Sequence, residues 1–228
     1  MILRLRPFAW VVIFSGVSVT ANAGPKTHVV ALGKWTTIAM RSEQGASDPI
    51  NLRIRPLYVD GRVKEFTTGN AHDVTEHTFV VQKISRVNDS LPQESGPPQW
   101  RWERGGWVLV DRVNGKIQQI ALADFDPDTS SVDWFRDYAA YCGYSEDDQK
   151  LLAVIMQLGE RRPVLKKIIG PTKDFPEPCS PPLWERDPVR VTFSVSPDQK
   201  LTFALKSRAG AASAETEPEK ADEENAGD

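Results

Sequence analysis

YCGYSEDDQKLLAVIMQL, residues 141–158, admits two folds. In one, Ser145 caps a helix that ends at Gly159, with Asp148 three residues on completing a capping box and Glu146, Asp147 and Asp148 in the first turn. In the other, EDDQ is the turn between two strands. The run LLAVIMQL is apolar all round, and a helix apolar on every side needs a larger core than a β domain of this size offers. The preceding DYAAYCGY also carries apolar residues on both faces. Two adjacent strands, each buried on both sides, account for both runs, so the expectation is a hairpin.

Outward from this stretch, alternation punctuated by turns dominates residues 27–208. In INLRIRPLYVD, Ile50, Leu52, Ile54 and Tyr58 fall on one face of a half-buried strand. Asp60 and Gly61 then form a type I′ turn into RVKEF. In WVLVDRVNGKIQQIAL, a two-residue turn at Asn114 and Gly115 pairs 113 with 116, 109 with 120 and 107 with 122, gathering Trp107, Leu109, Ile120 and Leu122 on a core face. A last hairpin alternates through Val191, Phe193 and Val195, turns at SPDQ, and alternates again through Leu201, Phe203 and Leu205.

SPDQKLTFAL and YSEDDQKLLAVI resemble the S-x-D-G-K-x-L hairpin that recurs in β-propeller blades, with Gln199 and Gln149 where glycine usually stands. Residues 133–167, DWFRDYAAYCGYSEDDQKLLAVIMQLGERRPVLKK, resemble a segment of exported bacterial proteins of unknown function, a likeness that implies no activity. A propeller needs about four blades of roughly 40 residues, and no fixed period recurs here. The expected fold is therefore all-β and mostly antiparallel, a single domain built as a β-sandwich or a propeller-like stack of blades.

Residues 1–23 join Arg4 and Arg6 to the apolar FAWVVIFSGVSV and an A-x-A site before Gly24, the pattern of a secretory signal peptide. That apolar run is too short to span a bilayer, and no later segment approaches the length. The implied location is exported, periplasmic or secreted, with no membrane span after cleavage. A β domain then covers 24–208. Residues 209–228 hold seven acids against Lys220 and no aromatic or branched apolar residue, which predicts a disordered acidic tail. With the tail at −6 and the leader at +2, the net charge of −3 leaves the domain near +1, which gives no grip on nucleic acid.

Cys142 and Cys179 both lie beyond the leader, and an even count in an exported chain reads as one disulfide, with two free thiols or a metal pair as alternatives. The six prolines of residues 171–188 suit no central strand, so the segment around Cys179 reads as a stapled loop.

Four clusters bear on function. WRWERGGW offers Trp100, Trp102 and Trp107 as a ligand-stacking face, or as core. HDVTEH places His72 and His77 five apart, one off the spacing that puts two histidines on one helix face, so a metal site competes with a solvated turn. Asp124, Asp126 and Asp128 alternate as in the first half of a calcium loop, but Thr129 and Phe135 stand where glycine and glutamate belong; a plain acid-rich turn is the alternative. In GERRPVLKK, Arg161, Arg162, Lys166 and Lys167 meet an anion or guard an exposed strand edge. No nucleophile elbow or phosphate loop is present, and Asn88-Asp89-Ser90 is only a formal glycosylation sequon.

The function these features point to is a non-catalytic binding or envelope-associated structural module with a protein or glycan partner and no cofactor. The alternatives are a hydrolase of cell-wall or polysaccharide material working through Asp124, Asp126 or Asp133, and a metal-binding periplasmic protein.

Overall fold

The computed structural model describes residues 27–40, 50–172, 179–196, 199–208 and 211–216. Residues 1–23, read from the sequence as a signal peptide, lie outside this set. Within it the regular structure is β-strand, arranged in three antiparallel sheets. The first contains β1 (Val30–Leu32), β2 (Thr36–Met40), β3 (Ile50–Val59), β4 (Arg62–Thr67), β5 (His72–Asp73), β6 (Thr78–Asn88), β7 (Trp100–Asp111) and β8 (Ile117–Gln119). Its order is β1-β3-β4-β6-β7-β8, with β2 beside β3 and β5 beside β6. The second is a meander of β9 (Val132–Phe135), β10 (Tyr138–Tyr144), β11 (Lys150–Gln157) and β12 (Leu165–Pro171). The third is a meander of β13 (Leu183–Arg186), β14 (Val189–Ser196), β15 (Gln199–Arg208) and β16 (Ala211–Thr216).

The stretch at 141–158 is a hairpin, and its sheet is the middle layer. β10 pairs with β11 from Tyr138 opposite Gln157 to Tyr144 opposite Leu151. Successive side chains of a strand point to opposite faces, and here both faces are filled. Ala140, Cys142, Leu151, Ala153 and Ile155 pack on Val191, Phe193 and Phe203 of the third sheet. Ala139, Tyr141, Leu152, Val154 and Met156 pack on Val80 and Trp107 of the first. Ser145 caps the turn: its Oγ accepts from Lys150 N at 3.0 Å and its carbonyl from Asp148 N at 2.8 Å. The signal that resembled a helix start is a four-residue turn, because the same Ser and Asp chemistry serves either purpose.

The first sheet carries a second core of its own. Leu57, Phe79, Val81, Val108 and Val110 gather with Val30, Leu32 and Ile117. The sheet curls around them, and its N-terminal approach returns to the loop after β7, where His28 N donates to Val113 O at 3.2 Å. β6 is thereby buried on both sides, Phe79 and Val81 within the curl and Val80 against the middle sheet. A disulfide joins Cys142 to Cys179 with Cα atoms 6.0 Å apart, pinning the proline-rich connection to the middle layer.

Three expectations need correction. In β3, Leu57 and Val59 are buried where Tyr58 was expected. The register shift against β4 comes after Leu57 and its extra residue, Lys64, is on β4, so β3 keeps its alternation and buries Ile54 on one face and Leu57 and Val59 on the other. The Asp60-Gly61 turn itself forms as read, with φ of 52° and 74° and Val59 opposite Arg62.

The β7–β8 hairpin is two residues out of the expected register, with Leu109 opposite Gln118 and Val110 opposite Ile117. Asp111 is the reason. Its carboxylate accepts from Val113 N at 2.7 Å, Asn114 N at 3.1 Å and Asn114 Nδ2 at 2.6 Å. These bonds hold a four-residue loop of which only Gly115 takes positive φ. A slip of two preserves facing, so Trp107, Leu109, Ile120 and Leu122 still share one core.

The tail was expected to be disordered from residue 209, but Ala211–Thr216 is β16, running from Arg208 opposite Ala211 to Phe203 opposite Thr216. Its composition supplies little to bury. The open edge of β15 needs only backbone partners, which any residue but proline can give. Residues 217–228 lie outside the described set.

The Asp111 loop makes a pH prediction. Hydrogen bonds from the backbone N–H groups of Asn114 and Val113 hold its carboxyl below the ordinary aspartate value. A depressed native value means the stabilisation is complete above the unfolded-state value and is lost as pH falls through the native one. Asp111→Ala should therefore melt below the parent at pH 5 to 8, with the gap closing only below about pH 4. Calorimetric melts of both proteins across that range check it, and a gap independent of pH sinks the assignment.

Candidate functional site

β7 is bulged, and the bulge builds the site. Opposite β6, Asn88 faces Trp100, Arg86 faces Trp102 and Ile84 faces Arg104, but Gln82 faces Trp107. One extra residue at Gly105-Gly106 is inserted on β7, so odd-numbered Trp107 joins even-numbered Trp100, Trp102 and Arg104 on one face. Gln82 Nε2 donates to Gly105 O at 3.1 Å beside the bulge. The three tryptophans do share a face, in unlike settings. Trp107 is core, 7% exposed, its ring 5.5 Å from Trp134 of the middle sheet. Trp102 meets Phe66 edge to face at 5.2 Å. Trp100 is 55% exposed. Arg86 lies 5.4 Å from the centre of the Trp100 ring and 5.6 Å from that of Trp102, holding both plates by cation–π contact.

At the Trp107 end the stripe enters a cleft of about 510 Å³ between the first and middle sheets. Its walls include Trp35, Arg53, Asn70, Arg104, Ser131 and Pro181. Trp35 is held from several directions. Arg53 lies 4.7 Å from its ring centre and Arg55 5.2 Å, while Arg55 itself donates to Gly33 O at 2.7 Å and Leu32 O at 3.0 Å. Gly69 sits at φ 74°, and a Cβ there would come within 2.5 Å of the Trp35 ring, so only glycine lets the backbone back this wall. On the far wall Ser130 Oγ donates to Cys142 O at 2.7 Å. Pro181 comes soon after Cys179, so the disulfide tethers a second part of that wall to the same β10 residue.

The charge is one-sided. No aspartate or glutamate is among the cleft's lining residues. Among the described residues, Arg53, Arg86 and Arg104 form no ion pair with a carboxylate. The opposite face of the same strands is neutralised, Arg101 with Glu103 at 2.5 Å and Asp89 at 3.4 Å, Lys83 with Glu65 at 3.2 Å. A second cavity of about 460 Å³, lined by Leu109, Ile120, Leu122, Trp134, Met156 and Leu158 among others, opens where Trp134 meets the first sheet. The indole Nε1 atoms of Trp107 and Trp134 find no acceptor among the described residues.

The structure scatters the remaining candidates. His72 Nε2 bonds Arg136 O at 2.9 Å and its ring stacks on Trp134 at 6.2 Å, while His77 sits in the following loop with Glu76 at 3.0 Å. Asp126 organises its own turn, accepting from Asp128 N at 2.9 Å and Thr129 Oγ1 at 2.8 Å. Asp124 pairs with Lys166 at 2.8 Å. Among the described residues no three His, Cys, Asp or Glu side chains gather as metal ligands. Burial raises the carboxyl of Asp133. Asp133 stands opposite Ala140, on the face turned to the third sheet and away from the cleft. Lys166 and Lys167 lie on β12, an edge strand, where charge opposes further pairing.

Sequence reasoning reached Trp100, Trp102 and Trp107 but missed Trp35, Arg53, Arg86 and Arg104. The Gly-Gly pair inside a strand was the legible sign of a bulge; nothing local marked the arginines. Fold and site together define an all-β protein of stacked antiparallel sheets with a cationic, tryptophan-edged cleft. No family model, curated protein or solved structure matches the chain.

Proposed function

We propose that the chain is an exported, non-catalytic binding module of the cell envelope that holds its ligand in this cleft. The observation that carries the reading is a preformed cleft lined by two guanidiniums, two indoles and no carboxylate. Glycoside hydrolysis uses two carboxyl groups flanking the scissile bond, so this lining suits retention of a ligand rather than its cleavage. The disulfide supports export, since such bonds persist in oxidising compartments. No helix among the described residues is long and apolar enough to cross a membrane.

Two results are expected. Protein recovered from the exported fraction should begin at Gly24. Solubilised envelope glycans should produce a saturable change in tryptophan fluorescence, with their chain lengths unaltered after incubation. Absence of a saturable change, or shortening of the glycans, overturns the reading.

A further inference from the structure

We propose that the cleft and the stripe bind a chain of acidic sugars, a saccharide bearing carboxylate or phosphate groups on its rings. This rests on the binding-module reading and names its ligand class. Arg53, Arg86 and Arg104 have no carboxylate partner among the described residues, whereas Arg101 and Lys83, on the other side of β6 and β7, are paired. A planar guanidinium left without a counter-charge matches carboxylate or phosphate by two parallel N–H donors. The indoles supply the second half of the recognition. Trp35 is 40% exposed and Trp100 55%, and such amphipathic plates offer an apolar face to ring C–H groups beside polar donors. Asn70 and Ser131 line the same cleft and both donate and accept hydrogen bonds, as hydroxyl groups require.

The spacing selects a chain over a single ring. From Trp100 to Arg104 is four residues of extended strand, about 14 Å at the rise of a β-strand. One monosaccharide cannot touch both. Net charge does not carry the attraction: the domain without leader and tail is near +1. The positive potential is local to this face, which gives selectivity for an anion fitted to the cleft over polyanions in general.

The test is calorimetric titration of the mature full-length chain with tetragalacturonate, a phosphate-bearing oligosaccharide, neutral maltotetraose and a short oligothymidylate. At least one acidic saccharide should bind about tenfold or more tighter than maltotetraose, and which one separates carboxylate from phosphate as the recognised group. Arg104→Ala and Arg86→Ala should each weaken that binding about tenfold, Arg104→Lys less, with the urea midpoints of both Arg104 variants unchanged. Equal binding of acidic and neutral saccharides, or full affinity in Arg104→Ala, overturns the proposal, as does preference for oligothymidylate. Equal binding that Trp102→Ala abolishes would sink the acidic ligand and leave the binding module standing. No binding to any probe, with the envelope fraction still titrating fluorescence, would do the same.

Discussion

Replacing Ala153 or Val154 by aspartate is expected to destabilise the protein severely at both positions. The two are neighbours on β11, both 0% exposed, and they face opposite ways, Ala153 toward the third sheet and Val154 toward the first. An uncompensated buried charge costs about 3–5 kcal/mol, a large part of the roughly 5–15 kcal/mol by which a domain is folded. In a strand with one wet face, one of the pair would be nearly silent. Ile168→Asp, on the neighbouring edge strand and 56% exposed, is the control, with an expected change within about 0.5 kcal/mol. Urea unfolding of the three variants decides the matter. A harmless substitution at either interior position would show that the middle sheet is covered on one side only.

Removing the disulfide should be nearly as damaging, and its effect should reach the cleft. Cys142 and Cys179 are 37 residues apart in sequence, and closing a loop of that length restricts the unfolded chain by about 4 kcal/mol in the chain-entropy model. The double variant Cys142→Ala/Cys179→Ala should lose stability of that order. The parent in reductant should fall to the same midpoint, and reductant should leave the variant unchanged. Pro181 and Ser130 line the cleft and are tied to Cys142, one through the disulfide and one through a hydrogen bond. At denaturant-free conditions where the variant remains folded, saccharide binding should therefore weaken while Arg53 and Arg104 stay in place. A loss below about 1 kcal/mol would mean that packing alone fixes the proline-rich crossing.

Much of the fold was legible because β patterning is local. LLAVIMQL and YAAYCGY announced burial on two faces, and residues 151–156 are all buried. At Asn114-Gly115 the dipeptide preference was read correctly and outbid by Asp111, whose carboxylate gathers three donors within the loop. The core face survived the error because side chains repeat every two residues and the slip was two. In β3 the error had another source: one buried face was assumed, whereas Ile54 is buried on one side and Leu57 and Val59 on the other, so the alternation was right and Tyr58 was the wrong residue to bury. At β16 the composition was read as disorder, since side-chain burial is what composition reports, while the vacant edge of β15 needs only backbone groups.

By itself, the sequence determined the all-β class, the main hairpins, the two-sided burial of the 138–158 hairpin and the partner of each cysteine, because periodicity, turn chemistry and an even thiol count act over short spans or small numbers. Only the tertiary structure decided that Trp35, Arg53, Arg104, Ser131 and Pro181 bound one cleft. Each is ordinary in its own segment, and what makes them a site is the order in which three sheets stack, a property of long-range packing that no window of sequence contains.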